Sequence, residues 1–286
     1  MPMDRYQLRY FLAIVETGSF SRAAARVNVA QPTLSVGIAK LEAELGVKLF
    51  QRSSRRVHLT EAGTRLLPHA RRIMHEFNVA QQAVAEAEGD ALLRIGILST
   101  IPAAIMEQIF AHARRDNAAR RFEVLDGGER EIGNMLQEGR IDIALTVLRG
   151  SDAQDGDLLV EEGYRLAVSD RHPLAGEAII PAERLSEEAM ILRRHCEALS
   201  ETSRFFLDRG IRPLFSFTTT SDERALAMVR AGLGVTVVPE GYQGSGVSLP
   251  RLQGFDLTRK LGLRYPETNG SDVSDNAFVR ACRAIL

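Results

Sequence analysis

Only two cysteines, Cys196 and Cys282, occur in 286 residues. That is too few for a disulfide framework and favours a reducing cytoplasm. No stretch approaches the ~20 apolar residues that span a bilayer. The opening "MPMDRYQLRYFLAIVETG" also lacks the unbroken apolar run of a secretory signal, so no membrane partner is expected. The six histidines show no His-Glu-x-x-His spacing and the cysteines no Cys-x-x-Cys, which argues against a metal site. Gly232-Leu233-Gly234 lacks the third glycine of a dinucleotide fingerprint and precedes a strand rather than a helix. Neither a Gly-x-Ser-x-Gly elbow nor a phosphate-binding Gly-Lys-Ser/Thr is present. Neither an enzyme nor a cofactor is expected. Tandem repeats and low-complexity tracts are absent as well.

What is present is an ordinary globular composition, 45% apolar and 26% charged, long enough for two or three compact units. A net charge of −1 hides an asymmetry. Residues 1–75 carry 12 Lys/Arg against 5 Asp/Glu, and the remainder is acidic. A basic front end on an acidic body suggests a polyanionic partner for the front only.

The front end reads as helices. Leu8, Phe11, Leu12 and Val15 recur at helical spacing and stop near Gly18. Ser21 suits an N-cap, with Phe20 placed to staple onto Ala25. Asn28 and Val29 turn the chain, and Pro32 opens the next helix. There Leu34, Ile38, Leu41 and Leu45 form one buried stripe and Gly46 ends it. Gln31, Thr33, Ser35, Val36 and Lys40 are left facing outward. They suit a helix entering the major groove of double-stranded DNA; a solvated polar face is the plainer alternative. Next, Leu49, Phe50, Val57 and Leu59 flank a turn bearing Arg52, Arg55 and Arg56, which reads as a hairpin wing facing phosphates or a narrow minor groove, or else as a solubilising basic turn.

The run "FLAIVETGSFSRAAARVNVAQPTLSVGIAKLEAELGVKLFQRSSRRVHLTEAG" resembles the winged helix–turn–helix of LysR-type transcriptional regulators. Gln31-Pro32-x-Leu34-Ser35, Leu41-Glu42-x-x-Leu45-Gly46-x-x-Leu49-Phe50 and Leu59-Thr60-x-x-Gly63 fall in order. The resemblance implies that Gln31, Pro32, Thr33 and Ser35 read the groove and that Arg52 and Arg55 hold phosphates. Ser21, Lys40 and Arg56 complete the candidate DNA-binding set. Val36-Gly37 departs from the polar or basic residues common in that family.

From Thr60 to about Glu88 a helical pattern places Leu66, Ala70, Ile73, Phe77, Ala80 and Val84 on a heptad seam. Dimerisation is the expected use, and packing onto the winged domain the alternative. Pro68 predicts a bend, and residues 86–90 a hinge. The family resemblance also implies pairing through this linker, as a homodimer or homotetramer. Three domains are expected: the winged domain over 1–60, the linker and hinge over 61–90, and an effector domain over 91–286.

Beyond Leu92, strands and helices alternate in the manner of a mainly parallel α/β sheet. Ligands bind such sheets at the carboxyl ends of strands, near helix N-termini. This rule selects Ser99, Thr100, Gly127 to Glu129, Thr146 and Arg193 to Cys196. The resemblance implies a periplasmic-binding-protein-like effector domain. Its two subdomains would span about 91–165 with 265–286, and about 166–264. Gly128 and Glu129 lie at a helix start, where an acid could recognise an amine or simply favour the helix dipole. Arg193 and His195 suit an organic-anion effector if they face the cleft rather than solvent. Cys196, expected at a helix start, is a candidate low-pKa thiol. The His195-Cys196 pair also resembles peroxide-sensing relatives, while Cys282 reads as core. The expected function is a DNA-binding transcriptional regulator controlled by a small molecule, with thiol redox sensing through Cys196 as the alternative.

Overall fold

The computed structural model describes residues 3–52, 57–87, 92–117, 121–150, 156–242, 244–266 and 276–286. The chain divides into two compact units. One spans Met1–Asp90 with Gln137–Arg140, and the other Ala91–Leu136 with Ile141–Leu286.

The first unit holds α1 (Arg5–Thr17), α2 (Phe20–Arg26), α3 (Gln31–Leu45), β1 (Phe50–Arg52), β2 (Val57–Leu59) and α4 (Glu61–Ala87). Its core joins Leu8, Phe11 and Ile14 of α1 to Leu34, Ile38 and Leu41 of α3, with Leu49 and Phe50 beneath. The α3 stripe is shorter than its spacing predicts, because Leu45 remains 40% exposed at the helix end. The N-cap of α2 is Ser19, not Ser21, and Phe20 therefore becomes the first helical residue. Its ring packs edge-on against Phe50, with centroids 5.9 Å apart, while Ala25 is exposed. Asn28 takes a left-handed φ of 57° between α2 and α3, a conformation its short polar side chain tolerates.

The second unit contains β3 (Leu92–Leu98), α5 (Ala103–Asp116), β4 (Arg121–Gly127), α6 (Glu129–Gln137), β5 (Ile143–Val147) and β6 (Asp157–Ser169). It continues through β7 (Ile179–Ile180), β8 (Ala189–Arg193), α7 (Leu199–Asp208), β9 (Leu214–Thr219), α8 (Asp222–Arg230) and β10 (Thr236–Pro239). Last come β11 (Val247–Ser248), β12 (Arg251–Leu252), β13 (Thr258–Arg264) and α9 (Ala277–Ile285). β3 pairs in parallel with β4 and β5, and β8 with β9. β13 and β6 are antiparallel to their neighbours, giving the order β10-β6-β13-β5-β3-β4. The sheet is thus mixed rather than mainly parallel. β6 is long enough to pair with two strands in succession: residues 157–163 pair with β13 and residues 164–167 with β10. One core lies under α5 and α9, and a second surrounds α7.

Candidate functional site

The outward face of α3 rests on a rigid base. Leu34, Ile38 and Leu41 are fully buried, whereas Gln31, Pro32 and Thr33 are exposed. Ala30 precedes them in an extended conformation and supplies no side-chain cap. The first-turn N–H groups are left available to an anion such as a backbone phosphate. Gln31 Nε2 donates to Ser35 Oγ over 2.9 Å, so these two candidates already share one orientation. Lys40 is exposed, and so is Val36, by 55%. Gly37 has a packing reason. A Cβ there would lie 2.7 Å from the Tyr10 ring, so the missing side chain lets α1 approach α3. Ser21 is exposed on α2.

The motifs around α3 have physical roles. The Glu42 side chain is only 6% exposed, and its Oε1 accepts from the N–H of Leu49 at 2.9 Å. Its Oε2 accepts from Lys48 Nζ at 2.7 Å. Burial pushes this carboxyl up, but Lys48 and the two backbone donors of Leu49 and Phe50 outweigh it and hold it below the ordinary range. Glu42 thereby ties α3 to the start of β1. Thr60 Oγ1 accepts from the Gly63 N–H at the start of α4. A Cβ on Gly63 would meet the Leu49 carbonyl oxygen at 2.3 Å. In the wing, Phe50 opposes Leu59 and Arg52 opposes Val57. Arg55 and Arg56 lie outside the described residues.

The seam on α4 is divided. Ala70 is fully buried in the winged core, with Leu66 partly buried against it. These two residues are therefore engaged by their own domain, as the alternative for this helix held. Ile73, Phe77 and Val84 are 43%, 41% and 69% exposed, and Ala80 is exposed too. Arg5 lies over the Phe77 ring at 4.1 Å. The helix runs through Pro68 without interruption.

In the second unit, Ser99, Thr100, Gly128, Glu129 and Thr146 gather at the carboxyl ends of β3, β4 and β5. The Ser99 N–H donates to the Gly127 carbonyl over 2.9 Å. Ser99 Oγ and Thr146 Oγ1 are buried without a hydrogen-bond partner, and space is open where a Gly128 side chain would project. Glu129 Oε2 accepts from Arg149 Nε at 3.2 Å, while Arg149 Nη2 reaches the Glu197 carbonyl.

Thr100 belongs to a different arrangement. It is 1% exposed, and its Oγ1 donates to Glu197 Oε2 at 2.8 Å and accepts from Arg259 Nη1 at 2.9 Å. Tyr164 donates to Glu197 Oε1 at 2.7 Å. Arg259 pairs with both Glu197 and Glu162. Burial opposes the charge on Glu197, but Arg259 and the two hydroxyl donors hold its carboxyl below the usual range.

The segment from Arg193 to Cys196 departs from expectation. Arg193 is 3% exposed and forms a forked pair with Asp222 while donating to the Val237 carbonyl. Its guanidinium is already committed. Arg194 and His195 are exposed. Helix α7 begins at Leu199, so Cys196 sits in the preceding turn rather than at a helix start. Burial pushes its thiol up, and the nearby Arg193 only partly offsets this. Arg193 and Cys196 line a cavity of about 300 Å³ walled by Met190, Leu199, Phe206 and Phe215. Cys282 is fully buried in α9, and burial pushes its thiol up to about 12.

Sequence reasoning missed Glu197, Arg259, Tyr164, Glu162, Arg149 and Asp222. A signal existed for one pair. Arg259 alternates with the fully buried Leu261 and Leu263, and a charge on the apolar face of a strand requires a buried partner.

Comparison with known proteins gives one consistent family. The family model "LysR substrate binding domain" matches residues 86–286. "Bacterial regulatory helix-turn-helix protein, lysR family" matches residues 6–64. The chain is 31% identical over 290 residues to a "Probable hydrogen peroxide-inducible genes activator" of Mycobacterium avium, covering 96% of this chain and 93% of that one. It is 30% identical to the "DNA-binding transcriptional dual regulator OxyR" of Escherichia coli, covering 92% and 89%. Among solved structures, a full-length OxyR variant from Pseudomonas aeruginosa shares the fold, with a TM-score of 0.59 at 24% identity. That match covers 99% of this chain and 98% of the other.

Proposed function

The chain belongs to the LysR-type family of DNA-binding transcriptional regulators, and on that premise we propose how it reads DNA and what controls it. The first turn of α3 enters the major groove, with Gln31, Pro32, Thr33 and Ser35 at base edges and Lys40 on the backbone. Arg52, Arg55 and Arg56 hold phosphates from the wing. The observation that carries this reading is the hydrogen-bonded Gln31–Ser35 pair on a helix whose opposite face buries Leu34, Ile38 and Leu41. Ile73, Phe77, Ala80 and Val84 meet a second copy, bringing two reading heads to one site in the cytoplasm.

A small polar effector binds at Ser99, Gly128, Glu129 and Thr146. The two unpartnered buried hydroxyls support this site, since such groups normally have partners. Ligand acts by favouring one arrangement of the reading heads. Selection of genomic fragments by the full-length protein, followed by titration across salt, tests the DNA reading. Association without sequence preference would overturn it. A thermal-shift screen of metabolites tests the effector site, because a ligand of the folded state raises Tm.

A second reading uses Cys196 as a peroxide sensor: its thiolate takes one oxygen from the peroxide and becomes a sulfenic acid, with hydroxide leaving. The chain's similarity to a probable hydrogen peroxide-inducible genes activator favours it; the buried, upward-shifted thiol opposes it. If Cys196→Ser abolishes a DNA-binding response to hydrogen peroxide, the thiol reading stands. An unchanged response removes it.

A further inference from the structure

Three donors from distant parts of the chain converge on one buried carboxylate. Thr100 follows β3, Tyr164 lies on β6 and Arg259 on β13, whereas Glu197 comes from the turn ahead of α7. Thr100 Oγ1, Tyr164 Oη and Arg259 Nη1 lie 2.8, 2.7 and 2.6 Å from its two oxygens. Both charged side chains are 1% exposed. A hydroxyl, a phenol and a guanidinium aimed at one point form the donor set of a carboxylate-binding site.

We propose that this is an anion subsite which the chain fills with its own Glu197, so that truncating Glu197 opens it to a small external monocarboxylate such as formate or acetate. The proposal deepens the effector-site reading and rests on it. In the wild type every N–H of Arg259 is engaged, by Glu162, Thr100 and Glu197. No donor of this set remains for an outside carboxylate. The effector of the intact cleft is therefore not recognised through this guanidinium and uses the free hydroxyls of Ser99 and Thr146 instead.

The test uses full-length Glu197→Ala and wild-type protein, melted in sodium formate, sodium acetate or sodium chloride at equal ionic strength. Formate should raise the Tm of Glu197→Ala above its chloride value by about 2–4 °C once the subsite is well occupied. Wild type should melt alike in all three salts. Glu197→Gln keeps the space filled and should show no formate response. A Glu197→Ala protein that melts alike in formate and chloride overturns the proposal. Should that variant fail to fold in chloride, recovery of folded protein in formate supports the subsite. Failure in both salts passes the decision to Glu197→Ser, read in the same way. Fragment binding by wild type is scored alongside: sequence-preferring binding with no formate response sinks only the subsite. A formate response in Glu197→Ala with no sequence preference in wild type sinks only the regulator reading.

Discussion

Arg193 and Asp222 form a forked ion pair inside the effector domain, with side chains 2% and 7% exposed. Nε donates to Oδ1 over 2.7 Å, Nη2 donates to Oδ2, and Tyr242 donates to Oδ2 over 2.8 Å. The sequence suggested Arg193 as a partner for an anionic effector; in the fold it joins β8 to α8. Removing one member of such a pair leaves an uncompensated buried charge. Asp222→Ala should therefore cost about 3–5 kcal/mol, and replacing both residues with apolar ones of similar volume much less. Urea denaturation of the single and double variants checks this. A single variant as stable as wild type would show that the pair is not desolvated.

Glu42 makes the winged domain sensitive to acid. Its folded pKa is depressed, so its contribution is present above the unfolded value of about 4.3 and disappears as pH falls through the folded value. Wild type should be more stable than Glu42→Gln at pH 7. The gap should narrow below about pH 4. Melting curves of both proteins across this range decide it, and a pH-independent gap would remove the charge from the argument.

The α4 seam is half buried in its own domain and half exposed, so substitutions in its two halves should have different effects. Ala70 is in the winged core whereas Phe77 is 41% exposed. Ala70→Glu should disrupt the domain, because an unpaired buried carboxylate costs several kcal/mol. Phe77→Glu should keep helical circular dichroism and yield monomers by light scattering. An intact oligomer in Phe77→Glu would move the interface elsewhere.

Base reading and phosphate holding differ in their salt dependence. Gln31→Ala should reduce discrimination between operators, by about 1–3 kcal/mol at the affected base pair. Arg55→Ala should weaken binding to all duplexes alike and reduce the salt slope by about one unit. Uniform weakening by both substitutions would show that α3 does not read bases.

The order of elements was legible because it is written locally. Leu34, Ile38 and Leu41 recur at one turn of a helix, Pro32 and Gly46 bracket it, and the strands from Leu92 onward carry their own apolar runs. Exact caps were harder: Ser19 and Ser21 are chemically alike, and only the packing of Phe20 on Phe50 decides between them. The same uncertainty displaced Cys196 from a helix start to a turn.

Local spacing and composition by themselves determined the helices of the front end, α3 with its buried stripe among them, and the alternation of strands and helices beyond Leu92, since each depends on neighbours within a few residues. Which charges are free was settled only by the tertiary structure. Glu197 meets partners 97, 33 and 62 positions away in the chain, and Arg193 meets Asp222 after 29. Periodicity says nothing about contacts at that range. Desolvation nevertheless requires each buried charge to find such a partner, and the pairing converts residues that look like ligand contacts into internal struts.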